Sequence, residues 1–316
     1  MPCRLRPFKT WLCRRGAIRV NVNRVSAAYL GVALAEIYRT HLDVYAKEFE
    51  SFLKLRREDG ILEARLHTDD GPLRWNLEVH RGLIPAMAAV NDDPENECVI
   101  LTGTGDAFLA EFDQPSWRNH GFHKPFSSYH GYDIFYKDQT REPFALLNLQ
   151  IPVIAAINGP SIVHAELGLL NDIVIASENT YFYEGHWDGL GIVPGDGVHT
   201  LFRELLGPNR GRYFLLMGQR LSADQARDLG LVGEVLPREE LLDRAWEIAR
   251  TVFMSKNRIQ RRLTRSLLIQ PWRELFTKEL SAGMAHECLA CFDYWPMSDE
   301  PGYDIGSLIR REPGES

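Results

Sequence analysis

Three side chains that can move protons lie at the turns of one glycine-rich stretch, Ile154 to Asp196. They are His164, His186 and Asp196 itself. The stretch has the pattern of a strand, a turn, a short helix, a second strand and another glycine-rich turn. Because binding and catalytic residues concentrate on loops that a rigid scaffold positions, these three residues predict a site for acid–base chemistry.

The elements around this stretch predict an α/β fold, because strands that alternate with helices usually form a parallel sheet. From residue 203 onward we expect mostly helices. Before that point the patterns predict helices at 38–57, 78–90 and 166–170, another helix that ends at 144–148, and strands at 61–67, 98–102, 153–157 and 173–176.

Composition narrows the class of protein. The chain has 316 residues, 45% of them hydrophobic, and a net charge of −7, which argues against a nucleic-acid binder. Its five cysteines have no metal-ligand spacing, so neither zinc nor a disulfide framework is predicted. We expect Cys288 and Cys291 to be buried on a helix. The pattern favours a reduced, cytoplasmic protein, and no segment resembles a membrane span.

The chain divides into three predicted parts. Residues 1–35 form a basic leader that superficially resembles a secretion signal, and we interpret it as disordered or as a non-native start. Residues 36–240 form the core. Residues 241–316 form a C-terminal helical region that is expected to pack against another subunit. The histidine-rich segment 114–136 is either a lid over the site or a surface loop.

Five segments resemble the crotonase (enoyl-CoA hydratase/isomerase) superfamily. The resemblance spans about residues 60 to 295 and implies a spiral of ββα repeats closed by a C-terminal helical trimerisation region, assembled as a homotrimer or hexamer. The segments are CVILTGTGDAF (98–108), IPVIAAINGP (151–160), DIVIAS (172–177), GIVPGDG (191–197) and GQRLSADQARDLGLVGEVL (218–236).

The chain departs from the usual superfamily pattern at three places. Enzymes of this superfamily that act on coenzyme A thioesters form an oxyanion hole from backbone N–H groups of a glycine run and of an earlier Gly-Ala pair. Here residues 162–164 replace the run, and Glu111 and Phe112 replace the pair. Of the two glutamates that hydratases use, Glu166 lies near one position and Trp187 occupies the other.

One branch is more similar, that of 6-oxocamphor hydrolase and related β-diketone hydrolases. Its members cleave a carbon–carbon bond between two carbonyls in a retro-Claisen reaction. The chain matches its pattern in order, although the segment from the second histidine to the aspartate is one residue longer. The matched positions are Trp75, His164, His186-Trp187, Pro194-Gly195-Asp196-Gly197 and Ala285-His286-Glu287.

This resemblance implies a role for each position. His186 would be the general base and Asp196 the carboxylate that orients it. His164 and the Trp75 indole would donate hydrogen bonds to the substrate. Glu287 would bind an active-site histidine or relay a proton. Trp117 would form a pocket wall, and Glu166 would have no necessary role.

The resemblance therefore predicts a hydrolase that cleaves a small, cyclic β-diketone to a keto acid without a metal or an organic cofactor. Three alternatives stay open. The chain is a hydratase- or isomerase-type enzyme acting on an acyl-coenzyme A, a metalloenzyme that binds its ion with two histidines and Asp196, or an inactive crotonase-like binding subunit.

Overall fold

The computed structural model describes residues 40–295. The fold is α/β, with a mainly parallel sheet and C-terminal helices. The predicted leader 1–35 lies outside the described residues, and so do residues 296–316 of the predicted C-terminal region. Among the helices of residues 40–295, none is long and apolar enough to cross a membrane.

A six-stranded sheet is the frame of the molecule. Its strand order is β1-β2-β4-β6-β7-β10, in which β1 and β2 are antiparallel and all other neighbours are parallel. β4 and β6 are completely buried, which explains their continuous apolar sequences. The strands are β1 (Leu53–Glu58), β2 (Ile61–Leu66), β4 (Cys98–Thr102), β6 (Val153–Ile157), β7 (Ile173–Ser177) and β10 (Glu234–Leu236).

Short strands form a second layer beside the large sheet. β3 (Arg74–Trp75) runs parallel to β5 (Glu111–Phe112), and β8 (Tyr181–Phe182) is antiparallel to β9 (Leu221–Ser222). Ser161 forms isolated bridges to Leu109 and to Phe182. Successive turns of the chain therefore meet in this layer, and the loops that leave it carry the histidines.

Helices cover both faces of the sheet and close the C-terminal side. The α-helices are α1 (Leu42–Glu48), α2 (Leu77–Asp92), α3 (Gln114–Asn119), α4 (Lys137–Gln139), α5 (Glu142–Leu147), α6 (Glu166–Leu169), α7 (Val198–Leu206), α8 (Pro208–Leu216), α9 (Ala223–Asp228), α10 (Arg238–Ile248) and α11 (Arg258–Asp293). Within residues 40–295, three π-helical segments span Tyr129–Tyr136, His186–Leu190 and Ala249–Phe253.

The predicted helix 38–57 is wrong over residues 40–57, because in that range only Leu42–Glu48 is helical and Leu53–Glu58 is a strand. Asp59 and Gly60 turn the chain into β2 with φ angles of 50° and 81°. An Asp-Gly pair is a standard hairpin signal, and the helical reading of the segment overlooked it.

The other predicted elements are confirmed with small changes at their ends. α2 covers the predicted helix 78–90, and β2, β4, β6 and β7 cover the four predicted strands. The segment 114–136 contains α3 and a π-helix, and its Trp117, Phe122 and Phe126 are buried in the core. Cys288 and Cys291 are buried on α11 as expected, and both are free.

Arg265 fastens α11 to the sheet. This arginine is 2% exposed, and it donates hydrogen bonds to the carbonyls of Leu149 at 2.7 Å and Leu146 at 2.9 Å. It also pairs with Asp172, whose carboxylate accepts the backbone N–H of Val153 at 2.7 Å. One buried cation therefore joins α11, the end of α5 and the start of β6.

We predict that Arg265→Ala lowers the free energy of unfolding by about 3–5 kcal/mol, because it leaves Asp172 buried and unpaired. Urea denaturation measures the change. Arg273→Ala is the matched control on the same helix, since Arg273 is exposed and bonds only to Asn148 among the contacts found in residues 40–295. Its expected effect is within about 0.5 kcal/mol. Equal effects of the two substitutions would contradict the prediction.

Candidate active site

One cleft collects every residue that the sequence predicts for the site. The cleft has an unfilled volume of about 770 Å³, counted out to its mouth, and most of its wall is aromatic or aliphatic. Such a lining suits a small organic molecule. The predicted residues in its wall are Trp75, Trp117, His164, His186, Asp196 and Glu287.

His164 stands in the turn after β6, in a left-handed conformation with a φ angle of 50°. That conformation costs a non-glycine residue about 1–2 kcal/mol. Its Nδ1 atom lies 2.6 Å from Glu166 Oε1, and its ring packs on Trp75 with the ring centres 4.1 Å apart. The Glu166 bond occupies Nδ1, so Nε2 is the nitrogen left to contact a ligand.

The backbone before His164 is already engaged. The N–H groups of Ile162 and Val163 both donate to the carbonyl of Leu109, at 2.8 Å and 3.1 Å. Since these residues replace the glycine run that the resemblance identified, their amides are not free to bind a substrate oxygen. A donor at this end of the cleft must therefore come from another group, and the His164 ring lies in the cleft wall.

His186 begins a short π-helix and is surrounded by carboxylates. Its Nδ1 atom hydrogen-bonds Glu184, and its Nε2 atom lies 3.6 Å from Asp196 Oδ2 and 3.7 Å from Glu287 Oε1. The predicted role of Asp196 as the orienting partner therefore needs correction, because Glu184 occupies Nδ1 and the Asp196 contact is too long for a hydrogen bond.

Asp196 lies between the two histidines. Its Oδ2 atom is 3.8 Å from His164 Nδ1 and 3.6 Å from His186 Nε2, while its Oδ1 atom accepts the N–H of Val198 at the start of α7 at 3.3 Å. The turn that carries this carboxylate is thus held by a helix N-terminus, where negative charge is stabilised.

A close backbone contact brings Glu287 to the same place. A Cβ atom on Gly195 would lie 2.2 Å from the carbonyl oxygen of Gly283 on α11, so only glycine allows the turn to touch the helix there. Glu287, one turn further along α11, accepts the N–H of Gly195 at 3.0 Å. The PGDG turn therefore positions two carboxyls, that of Asp196 within the turn and that of Glu287 on α11.

Burial and neighbouring charges shift the pKa of both histidines. Burial alone would lower the pKa of His164, but the nearby carboxylates, foremost Glu166, raise it to about 9. Burial opposes the same change at His186, where Glu184 and then Asp196 raise the pKa well above its ordinary value. Both rings therefore carry a proton near neutral pH when the cleft is empty.

The buried carboxyls shift in the same direction. Burial raises the pKa of Glu287 to about 8, and it also raises the pKa of Glu166. Glu142, behind the cleft, is completely buried, and burial raises its pKa to about 8. Burial lowers the pKa of the neighbouring His80 to about 3, so that ring is neutral.

Sequence reasoning missed Glu184, His80 and Glu142. Glu184 stands two residues before His186, and an acidic residue so close to a candidate base was a usable signal. His80 lines the cleft, and its Nδ1 atom is 3.8 Å from Glu142 Oε2. Those two residues lie on different helices, so no local pattern joins them. Trp187, at the second hydratase glutamate position, is 55% exposed and is absent from the cleft wall.

Two triads of side chains in the described part of the chain group atoms that can bind a metal. In the triad of His164, Glu166 and Asp196, the Nδ1 atom already bonds Glu166. In the triad of His186, Asp196 and Glu287, the ligand atoms lie 3.6 Å and 3.7 Å from the histidine nitrogen, which leaves room for an ion. Each triad has one histidine and two carboxylates, unlike the predicted pair of histidines with Asp196.

Comparison with known proteins gives the family. A family model described as enoyl-CoA hydratase/isomerase matches residues 57–285. Crotonyl-CoA hydratase of Syntrophomonas wolfei is 34% identical over 184 residues, which are 57% of this chain and 67% of that protein. The 1,2-epoxyphenylacetyl-CoA isomerase of Escherichia coli is 32% identical over 63% of this chain and 75% of its own length.

One protein of known structure has a higher sequence identity to this chain than these two enzymes have. It is a β-diketone hydrolase from the cyanobacterium Anabaena sp. PCC 7120, bound to (S)-3-oxocyclohexyl acetic acid. Its TM-score is 0.73 and its identity 40%, over 79% of this chain and 97% of that one. An enoyl-CoA hydratase/isomerase from Mycobacterium paratuberculosis is 22% identical with a TM-score of 0.67, which shows the shared fold alone.

The shifted groups predict that the protein loses stability as the pH rises from 6.5 to 9. A group whose pKa is higher in the folded state binds its proton more tightly there, so deprotonation favours unfolding. The loss of stability that Glu142 and Glu287 cause continues up to about pH 8, and the loss that His164 causes continues up to about pH 9. The opposing changes at His80 and His199, whose pKa values burial lowers, lie mainly below pH 6.5.

Each fully titrating group removes up to about 1.4 kcal/mol per pH unit. Thermal unfolding at several pH values measures the loss, and Glu142→Gln should flatten the slope up to pH 8. A melting temperature that is constant or rises over this range would refute the assigned shifts.

Proposed function

This chain belongs to the enoyl-CoA hydratase/isomerase family, and we propose that its cleft hydrolyses the carbon–carbon bond between the two carbonyls of a β-diketone. The observation that carries the proposal is the pair of histidines on either side of Asp196, in a cleft where the amides of Ile162 and Val163 donate to Leu109. The 40% identity to a β-diketone hydrolase supports it independently.

His186 is the proposed base for the attacking water. Its Nε2 atom points toward Asp196 and Glu287 without a direct hydrogen bond to either, so a water molecule between these groups has both a base and acceptors. The water proton goes to Nε2 as its oxygen bonds the first carbonyl carbon. The nearby Asp196 carboxylate stabilises the imidazolium that results.

His164 and Trp75 are the proposed donors to the substrate oxygens. When the tetrahedral intermediate collapses, the bond between the first carbonyl carbon and the carbon between the carbonyls breaks, and its electrons become an enolate on the second carbonyl. His164, protonated at neutral pH and free at Nε2, meets that negative charge. The proton on His186 then returns to the enolate carbon, which completes the balance with water as the only co-substrate.

The ligand bound in the related β-diketone hydrolase suggests the carbon skeleton of a substrate. Its ligand is a keto acid with a cyclohexanone ring and an acetic acid arm. Joining the acid carbon to the ring carbon beside the ketone, opposite the arm, with loss of water gives a bridged bicyclic 1,3-diketone. We propose a diketone of this kind as substrate, since the aromatic wall formed by Trp75, Trp117 and Phe135 suits a compact hydrocarbon skeleton.

A homo-oligomer is also part of the proposal. α11 exposes apolar side chains that a monomer would leave in water, and family resemblance favours a trimer or a pair of trimers. The exposed residues are Ile259, Leu263, Leu267, Leu268 and Leu289, each at least 63% exposed.

We predict that His186→Ala and Asp196→Asn each lower the rate of diketone cleavage by about 10²–10⁴-fold, because each removes a group that acts on the water or its proton. Loss of the bridged diketone and appearance of the keto acid are measured together. His120→Ala is the control, since His120 is exposed and outside the cleft wall. Unchanged rates in both site variants would overturn these roles.

Three further tests distinguish this hydrolase from a metalloenzyme, an acyl-coenzyme A enzyme and an inactive binding subunit. Full activity after exhaustive chelation supports histidine-based hydrolysis, whereas a loss that zinc restores identifies the His186 triad as a metal site. Calorimetric titration with crotonyl-coenzyme A tests the acyl-coenzyme A alternative. We expect no micromolar binding there, because the amides of Ile162 and Val163 are occupied. A wild-type protein that cleaves no diketone in the panel and binds no thioester would favour a binding subunit.

The raised pKa of His186 predicts that kcat/KM for the diketone increases with pH beyond the ordinary histidine range. Only the neutral ring accepts a proton, and the surrounding carboxylates delay deprotonation of the free enzyme. A pH–rate profile from 6 to 9.5 measures the rise. A profile that is flat or falls above pH 7 would contradict His186 as the base.

A further inference from the structure

Glu184 is a buried carboxyl that the proposed reaction does not use. It lies in the loop between β8 and the π-helix and is 6% exposed. Its Oε1 atom accepts a hydrogen bond from His186 Nδ1, and both carboxylate oxygens lie 3.3 Å from the backbone nitrogen of His186. One side chain thus holds both the backbone and the ring of the same histidine.

The other acidic groups around the ring cannot hold it in this way. Asp196 and Glu287 face Nε2 at 3.6 Å and 3.7 Å, which is beyond hydrogen-bond distance. Asp196 is in addition shared with His164, 3.8 Å away, and Glu287 accepts the backbone N–H of Gly195. Among these carboxyls only Glu184 bonds the ring directly.

A neutral imidazole carries one N–H, and the nitrogen that carries it cannot accept a proton. A carboxylate at Nδ1 favours the N–H on that atom, which leaves the lone pair on Nε2. The opposite tautomer would direct an N–H at the water and would disable the base. The group bound to Nδ1 therefore determines whether Nε2 can accept a proton from the water.

We infer that Glu184 is the positioning residue that fixes His186 as its Nδ1-protonated tautomer, while Asp196 stabilises the charge of both histidines from between them. The consequence for catalysis rests on the proposed function of His186. The tautomer itself is a property of the resting protein and does not depend on which substrate is cleaved.

The tautomer is read from the ring nitrogen chemical shifts of ¹⁵N-histidine-labelled protein. His186→Gln identifies the signal by its loss, and spectra are recorded at a pH high enough to neutralise the ring. In the wild-type protein we expect the Nδ1–H form to dominate. A dominant Nε2–H form would overturn the inference, and this result needs no variant at position 184.

Substitutions then test whether Glu184 causes the tautomer preference of His186. Glu184→Met keeps the length of the side chain but removes the acceptor, and we expect the tautomer preference to be lost. Glu184→Gln keeps an acceptor and should largely retain it. Asp196→Asn should leave the Nδ1–H form in place, and so should the control Asp188→Asn, which removes an exposed acid from the same π-helix. A tautomer that responds to Asp196→Asn and not to Glu184→Met would refute the assignment.

Kinetics give the second readout. Glu184→Met should lower kcat for diketone cleavage by between about tenfold and 10⁴-fold, the latter being the loss for a wrong tautomer in a histidine–carboxylate pair. We expect KM to change less than about threefold, with Glu184→Gln intermediate in kcat. If KM rises while kcat is unchanged, Glu184 does not position the base. If wild-type protein cleaves no diketone, the function fails, and the nitrogen shifts still decide the tautomer.

Discussion

The site depends on the balance of charge around Asp196, which lies between His164 and His186 in a largely apolar cleft. No lysine or arginine lines that cleft among the described residues, so the two histidines are the cations that offset its carboxylates. Unpaired buried charge is costly, and each carboxylate therefore favours a protonated ring beside it. The upward pKa shifts of both histidines follow from these carboxylates, whereas burial is the main cause of the upward shift of Glu287.

The family scaffold explains how these groups are brought together. Carboxyl ends of the parallel strands and the short second layer supply the loops with His164 and His186, and the PGDG turn supplies Asp196. Contact between Gly195 and Gly283 then adds Glu287 from the distant C-terminal helix. The turn before His164 directs its amides inward to Leu109, so a donor side chain takes the place of backbone donors.

Much of the fold can be predicted from the sequence, because the patterns that indicate its strands and helices are local. The buried apolar strands β4 and β6 and the helix α2 follow from periodicity, and the family motifs match five of the six cleft residues, all except Trp117. Before the hairpin turn at Asp59, the apolar residues Leu42, Tyr45, Phe49 and Leu53 keep a helical spacing, so periodicity predicts a helix where β1 begins. Contacts between distant segments were out of reach. Glu184 as the partner of His186, and Glu142 behind His80, depend on loop geometry and on packing between helices, which no spacing in the sequence encodes.

The proposed reaction adds water across a carbon–carbon bond between two carbonyls. Turnover of the bridged bicyclic 1,3-diketone in ¹⁸O-labelled water, followed by mass spectrometry of the product, tests it most directly. We expect a ring-opened keto acid with one heavy oxygen fixed in its carboxyl group, formed about 10²–10⁴-fold more slowly by His186→Ala. A product of unchanged carbon skeleton, or ring opening that proceeds equally well in the variant, would contradict it.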